Sequence, residues 1–179
     1  GIMLTESFDF NYSPQDLLAL FKEEPYVFLL ESSLFEKSRG RYSMLGFDPF
    51  FIYEHKDQTN LDELKRHFYR YRNSQKNSGF PLTSGMVGYL GYDYGPLREG
   101  VPLTSTDDLG LPDCVFGFYD CVLIIDHLSR KLIVTASGLP ERFARLKELR
   151  AKARLDAVRK KLEDLKIYPS VMFSEAASV

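Results

Sequence analysis

The spacing of apolar residues changes period several times along the chain, and each change marks an element. Ser7 to Tyr12 alternates in the manner of an edge strand. Ser13-Pro14 then precedes Leu17, Leu18 and Phe21 at helical spacing, with serine as the cap and proline in the first helical position. Pro25 disfavours helical geometry just before it, so this helix ends near Lys22 to Glu24. Tyr26 to Leu30 is an unbroken apolar run that stops at Glu31, Ser32 and Ser33. After a polar segment containing Gly40, Arg41 to Phe47 is rich in β-formers and Asp48-Pro49 closes it. Two such runs joined by a polar, glycine-containing connection predict a hairpin or neighbouring strands, with Phe50 to His55 extending the second.

A second helix is predicted over 60–75, capped by Asn60, with Leu61, Leu64, Phe68 and Tyr71 as its apolar stripe. Gly85, Gly88 and Gly91 recur at intervals of three in a strand-like stretch. They match neither a dinucleotide fingerprint nor a phosphate loop; such glycines suit a close approach by backbone or ligand. Residues 94–112 read as a long loop, a length that in a compact domain marks function or mobility. Phe116 to Asp126 and Lys131 to Ser137 follow as strands joined by a turn at His127 to Arg130. The run Val122 to Ile125 predicts a central strand covered on both faces. From Pro140 to about Lys166 the chain turns rich in Ala, Leu, Lys, Arg and Glu, with Leu155, Val158, Leu162 and Leu165 as the stripe of a long amphipathic helix. The resulting divisions are a core over 1–139, a helix packing on it over 140–167, and a linker or disordered tail over 168–179. The order predicts an α+β fold, mainly antiparallel sheet with outer helices.

Composition narrows the function classes. An apolar fraction of 44% in 179 residues is enough for one ordinary domain. The formal net charge of −2 argues against a dedicated nucleic-acid binder, and the basic bias of the last helix is read as a packing or solvated face. No apolar run approaches the roughly 18 residues of a membrane span, and the N-terminus does not read as a secretory signal. The expectation is a soluble cytoplasmic protein with no membrane partner. Cys114 and Cys121 lack the paired spacing of a zinc site and read as reduced core residues.

The polar groups flanking the first hairpin carry the candidate chemistry. Glu31 and Ser32 end a strand that should be buried, and Arg41 begins the next. Buried polar groups need partners. Two arrangements satisfy them: Glu31 and Arg41 pair internally with Ser32 on a strand-end backbone group, or all three converge on a small zwitterion. No nucleophile elbow, metal-ligand cluster or phosphate loop accompanies them. On the residues alone, this is a binding or regulatory domain of unidentified ligand.

Four stretches resemble the N-terminal domain of the chorismate-utilising enzymes anthranilate synthase component I and aminodeoxychorismate synthase component I. They are FLLES at Phe28 to Ser32, GRYSMLGFDP at Gly40 to Pro49, GMVGYLGYD at Gly85 to Asp93 and LPDCVFGFYDCVLIIDH at Leu111 to His127. The resemblance implies half of the family's two-domain α/β/β/α sandwich. It also implies that chorismate and Mg²⁺ bind in a C-terminal domain, with no cofactor and no catalytic residue in this chain. Carried over, Leu30, Glu31 and Ser32 border a tryptophan pocket, with Glu31 and Ser32 toward the ammonium group and Arg41 as carboxylate partner. The implied partners are the chorismate-binding domain, a glutamine amidotransferase subunit and tryptophan, with self-association through an exposed sheet face as a further expectation. The compact acidic segment TSTDDLGLPD at Thr104 to Asp113 and the short connection after Tyr94 resemble the aminodeoxychorismate branch, which leads to p-aminobenzoate and folate; the alternatives are the anthranilate branch, in tryptophan biosynthesis, and a stand-alone interaction module.

Overall fold

Ser13 opens the first helix as its sequence predicts. Its hydroxyl accepts from the Asp16 amide at 3.1 Å, and the Asp16 carboxylate accepts from the Ser13 amide at 2.9 Å, a reciprocal capping box. A computed structural model describes this and the rest of residues 3–31, 40–55, 61–71, 85–90, 97–98, 101–103 and 114–170. Among the described residues, the chain runs β1 (Leu4–Asp9), α1 (Pro14–Phe21), β2 (Val27–Glu31), β3 (Tyr42–Gly46), β4 (Phe51–His55), α2 (Leu61–Tyr71) and β5 (Gly85–Leu90). It continues through β6 (Leu97–Arg98), β7 (Val101–Leu103), β8 (Cys114–Tyr119), β9 (Cys121–Asp126), β10 (Lys131–Ala136) and α3 (Ala144–Glu163).

The strands form a six-stranded sheet in the order β1-β10-β9-β3-β2-β6 and a four-stranded sheet in the order β4-β8-β5-β7. Among the described residues all pairings are antiparallel except β2 with β6. One face of the larger sheet packs against Leu17 and Phe21 of α1 and Ala151, Leu155, Val158 and Leu162 of α3. Its other face presents Phe28, Leu30, Met44, Val122 and Ile124 to Val115 and Tyr119 of the smaller sheet. Beyond the smaller sheet, Tyr71 of α2 meets Phe51 and Phe118, with ring centroids 6.0 and 5.5 Å apart. The layers therefore run helix, sheet, sheet, helix, an α+β sandwich, and all four occur within this chain. The exposed large apolar side chains of the described residues include Phe143, Leu146 and Leu149 around the start of α3, and Leu128 in a turn.

Two strand predictions divide differently. Phe50 to His55 does not prolong β3. At Asp48 the backbone enters the left-handed region (φ +47°), which Asp tolerates better than most residues, and β4 leaves for the other sheet. Likewise, the single strand predicted over Phe116 to Asp126 breaks at Asp120 into β8 in one sheet and β9 in the other. α3 starts at Ala144 rather than Pro140, and Pro169, just past its C-terminal turn, forms a bridge with Phe8 of β1. The stretches of the 94–112 loop other than β6 and β7, the glycine at 91 and residues 72–75 of the second helix lie outside the described residues.

Arginines of α3 hold both corners. Arg154 Nη1 donates to Asp48 Oδ2 at 2.9 Å and its Nη2 to the Asp48 carbonyl at 3.0 Å, while its guanidinium lies over the Phe47 ring. The carboxylate of the entirely buried Asp120 pairs with Arg150 Nε at 3.0 Å and Arg154 Nε at 3.2 Å. Arg159 pairs with Glu6 of β1. Much of the basic bias of α3 is therefore spent on carboxylates of the sheets. Cys121, next to Asp120, is a free thiol whose burial pushes its pKa up to about 12, which fits a core residue rather than a reactive one. The Cys114 side chain lies outside the described residues.

Gly46 is fixed by contact rather than by a turn. It sits opposite Phe28 in the β2–β3 ladder, and a Cβ there would lie 2.1 Å from Phe28 Cε1. The Phe28 ring covers the glycine backbone and packs edge-on against Tyr119 at 4.9 Å. Gly46→Ala should displace that ring and destabilise by about 1–3 kcal/mol, the usual range for overpacking. A urea titration measures it as a lowered midpoint.

Candidate functional site

The apolar run of β2 ends at Leu30 and Glu31, whose cross-strand partners are Met44 and Ser43 of β3. β3 in turn pairs with β9, aligning Tyr42 with Asp126 and Ser43 with Ile125. Three strand ends thus meet at one margin of the larger sheet. The residue just before β3 is Arg41, and the residue just after β9 is His127. The His127 amide donates to the Arg41 carbonyl at 2.7 Å, closing the ladder.

On the side facing the smaller sheet, Leu30, Tyr42, Met44 and Ile124 make a buried apolar wall. Arg41 lies at its rim. Its Nε and Nη2 donate to the two carboxylate oxygens of Asp126 at 3.2 and 3.1 Å, and its guanidinium sits 4.9 Å from the Tyr42 ring centroid. The arginine side chain is 45% exposed and that of Asp126 only 7%. On the other side, the buried Ser43 hydroxyl lies 2.7 Å from His127 Nε2. Beside it a cleft of about 300 Å³ is lined by Phe10, Asn11, Tyr12, Ile125, Asp126, His127 and Arg130.

Burial disfavours the charged form of Asp126, but the Arg41 guanidinium, the Ser129 side chain and the Leu128 and Ser129 amides outweigh it. The carboxyl is held below its usual range. The bond to Asp126 likewise raises the pKa of Arg41. A depressed folded-state pKa means that the unfolded chain takes up the proton first as pH falls. The stabilisation from Asp126 is therefore complete above the ordinary aspartate value of about 4 and lost as pH drops through the lower folded value. Asp126→Asn should lose stability relative to the parent at pH 7, with the gap closing on acidification. Thermal unfolding of both proteins across that range measures it.

Of the four residues singled out from sequence, Leu30 is in the buried wall and Arg41 is at its rim. Glu31 is placed by its backbone beside Ser43, while its side chain and all of Ser32 lie outside the described residues. The guanidinium of Arg41 is taken by Asp126, a partner 85 residues away that sequence reasoning did not name. Ser43 and His127 were also missed. The available signal was the abrupt change from the apolar Val122 to Ile125 to Asp126-His127, which mirrors the end of β2.

Known proteins share this arrangement of sequence. A family model described as chorismate binding enzyme matches residues 30–175. This chain belongs to that family. Anthranilate synthase component 1 of Acetivibrio thermocellus is 32% identical over 136 residues, covering 67% of this chain and 28% of that protein. Aminodeoxychorismate synthase component 1 of Salmonella typhimurium is 39% identical over 70 residues, covering 39% of this chain and 14% of that protein. The crystal structure of anthranilate synthase component I from Streptococcus pneumoniae aligns with a TM-score of 0.42 and 26% identity, over 66% of this chain and 29% of that one. The chain spans less than a third of the length of each of these relatives. Among the described residues, no helix is long and apolar enough to cross a membrane. Nor do they gather three or more His, Cys, Asp or Glu side chains in a way that could hold a metal ion.

Proposed function

We propose that this chain is the N-terminal scaffold and effector-binding domain of a component I enzyme that aminates chorismate, and that it is not catalytic by itself. The margin where β2, β3 and β9 meet is the binding end. Its single strongest support is the combination at one place of a buried apolar wall, Leu30, Tyr42, Met44 and Ile124, with a half-exposed guanidinium at its rim. A free aromatic amino acid needs an apolar surface for its side chain and fixed charges for its two ends. Leu30 and Arg41 supply the first and one of the second; Glu31 and Ser32 are proposed for the ammonium group. Tryptophan is the proposed occupant, a glutamine amidotransferase subunit the proposed ammonia source, and Mg²⁺ and chorismate are assigned to sequence that the relatives carry beyond the aligned part.

Between the two amination branches, the compact acidic segment Thr104 to Asp113 and the short connection after Tyr94 favour aminodeoxychorismate formation. The anthranilate reading has its own support in somewhat longer alignments, 136 and 153 residues against 115 and 70. The product released from chorismate and ammonium by the complete enzyme decides between them. Incubated alone with chorismate, ammonium and Mg²⁺, this chain should consume no chorismate by absorbance or chromatography. Turnover that co-purifies with it would end the scaffold reading.

A further inference from the structure

The Arg41–Asp126 pair is built so that either partner can do without the other. Asp126 Oδ1 also accepts from the Leu128 amide at 3.1 Å and lies 3.5 Å from the Ser129 amide, donors supplied by its own turn. Its charge therefore keeps hydrogen-bond donors when the guanidinium leaves. Arg41, for its part, is fixed at its backbone by the His127 amide and steered at its head by the Tyr42 ring. Neither hold requires the carboxylate. The Arg159–Glu6 pair differs: among the described residues no backbone amide serves Glu6, and its bonds tie α3 to β1 rather than facing a strand-end margin. At the margin, a guanidinium that is 45% exposed already grips a carboxylate with two bonds, one to each oxygen, the bidentate pairing by which arginine recognises a free carboxylate.

We infer that Asp126 is a displaceable occupant of Arg41, holding the place of a ligand carboxylate and setting the affinity of the site by competing for it. The inference rests on the amino-acid-binding reading above. It adds a residue that tunes the site and a rule of selectivity: Asp126 competes with ligands that carry a carboxylate and is indifferent to those that lack one.

Calorimetric titration of this chain, Asp126→Asn and Arg41→Ala with tryptophan, and with tryptamine as its carboxylate-free counterpart, tests it. Asn keeps the oxygen that accepts from the turn amides while removing the competing charge. Asp126→Asn should bind tryptophan about two- to fivefold more tightly, the scale of an exposed ion pair, and leave tryptamine unchanged. Arg41→Ala should bind the two compounds alike, and its thermal midpoint should stay within about two degrees of the parent, because Asp126 retains its turn donors. If the parent binds tryptophan and Asp126→Asn binds it no better, the competition is refuted while the pocket stands. An equal gain for tryptamine refutes it too, since that would be a general loosening. If neither parent nor Asp126→Asn binds tryptophan, the amino-acid reading itself fails and the competition with it.

Discussion

Replacing Arg154 with alanine is expected to lower the unfolding free energy by about 3–5 kcal/mol, the range for removing one partner of a buried, hydrogen-bonded charge pair. The reason lies in where its bonds end. The chain passes from the six-stranded to the four-stranded sheet at Asp48 and, after an excursion back through β6, makes its last return at Asp120. Arg154 reaches both corners, and its side chain is only 13% exposed. Removing it strips a bond from the Asp48 carboxylate, two from the carbonyls of Phe47 and Asp48, and one of two cations from a carboxylate that no water reaches. Arg150→Ala should do less, because Arg150 serves Asp120 alone of these groups and is more exposed. Arg154→Lys should not rescue, since a single ammonium cannot span a fork that serves two corners. Urea midpoints at unchanged slope measure all three.

Tyr119→Ala is the second large effect, at about 3–5 kcal/mol for emptying a buried aromatic site. The ring fills the space between the sheets. It meets Phe28 edge-on at 4.9 Å and lies so close over Gly117 that a Cβ there would come within 2.8 Å of it. Its hydroxyl donates to the Tyr26 carbonyl at 2.7 Å, where the backbone turns through a positive φ of 48° into β2. Tyr119→Phe keeps the volume and loses that bond, so it should cost about 1 kcal/mol. The same pair of variants bears on function. Tyr119 and Leu30 share one core, so Tyr119→Ala should also weaken ligand binding at the sheet margin, and Tyr119→Phe should do so far less.

What the sequence made legible follows from the range over which each feature is decided. α1 is local: Ser13, Pro14 and Asp16 cap it within four residues, and its predicted start matches the structure. The pairing of β2 with β3 is nearly as local, and its hydrophobic runs announce it. The burial of Val122 to Ile125 on both faces was also readable from their unbroken apolarity. The corners were not. Nothing in the order Phe118, Tyr119, Asp120, Cys121 and Val122 signals that the strand changes sheet. Asp120 is tolerable there only because Arg150 and Arg154 arrive from a helix 30 and more residues later. The candidate site divides the same way. Leu30 and Arg41 were visible as an apolar residue and a charge at strand ends. Asp126, which holds Arg41, comes from a strand that becomes its neighbour only after β9 inserts between β3 and β10.

The family assignment gives that margin a setting. The relatives are named anthranilate synthase and aminodeoxychorismate synthase component 1, and the family model spans residues 30–175, which include the Leu30–Glu31 end and the β8–β9 corner. In the proposed reading, β2, β3 and β9 present the effector, and α3 holds the two sheets at the angle that the apolar wall needs.

A calorimetric titration of tryptophan into this chain, run beside Ser32→Ala, tests the effector-binding role most directly. The account predicts saturable binding at one site per chain. It also predicts an affinity about tenfold or more lower in Ser32→Ala, the effect of losing a hydrogen bond to a charged ammonium. Absence of binding, or binding that Ser32→Ala leaves unchanged, would contradict it.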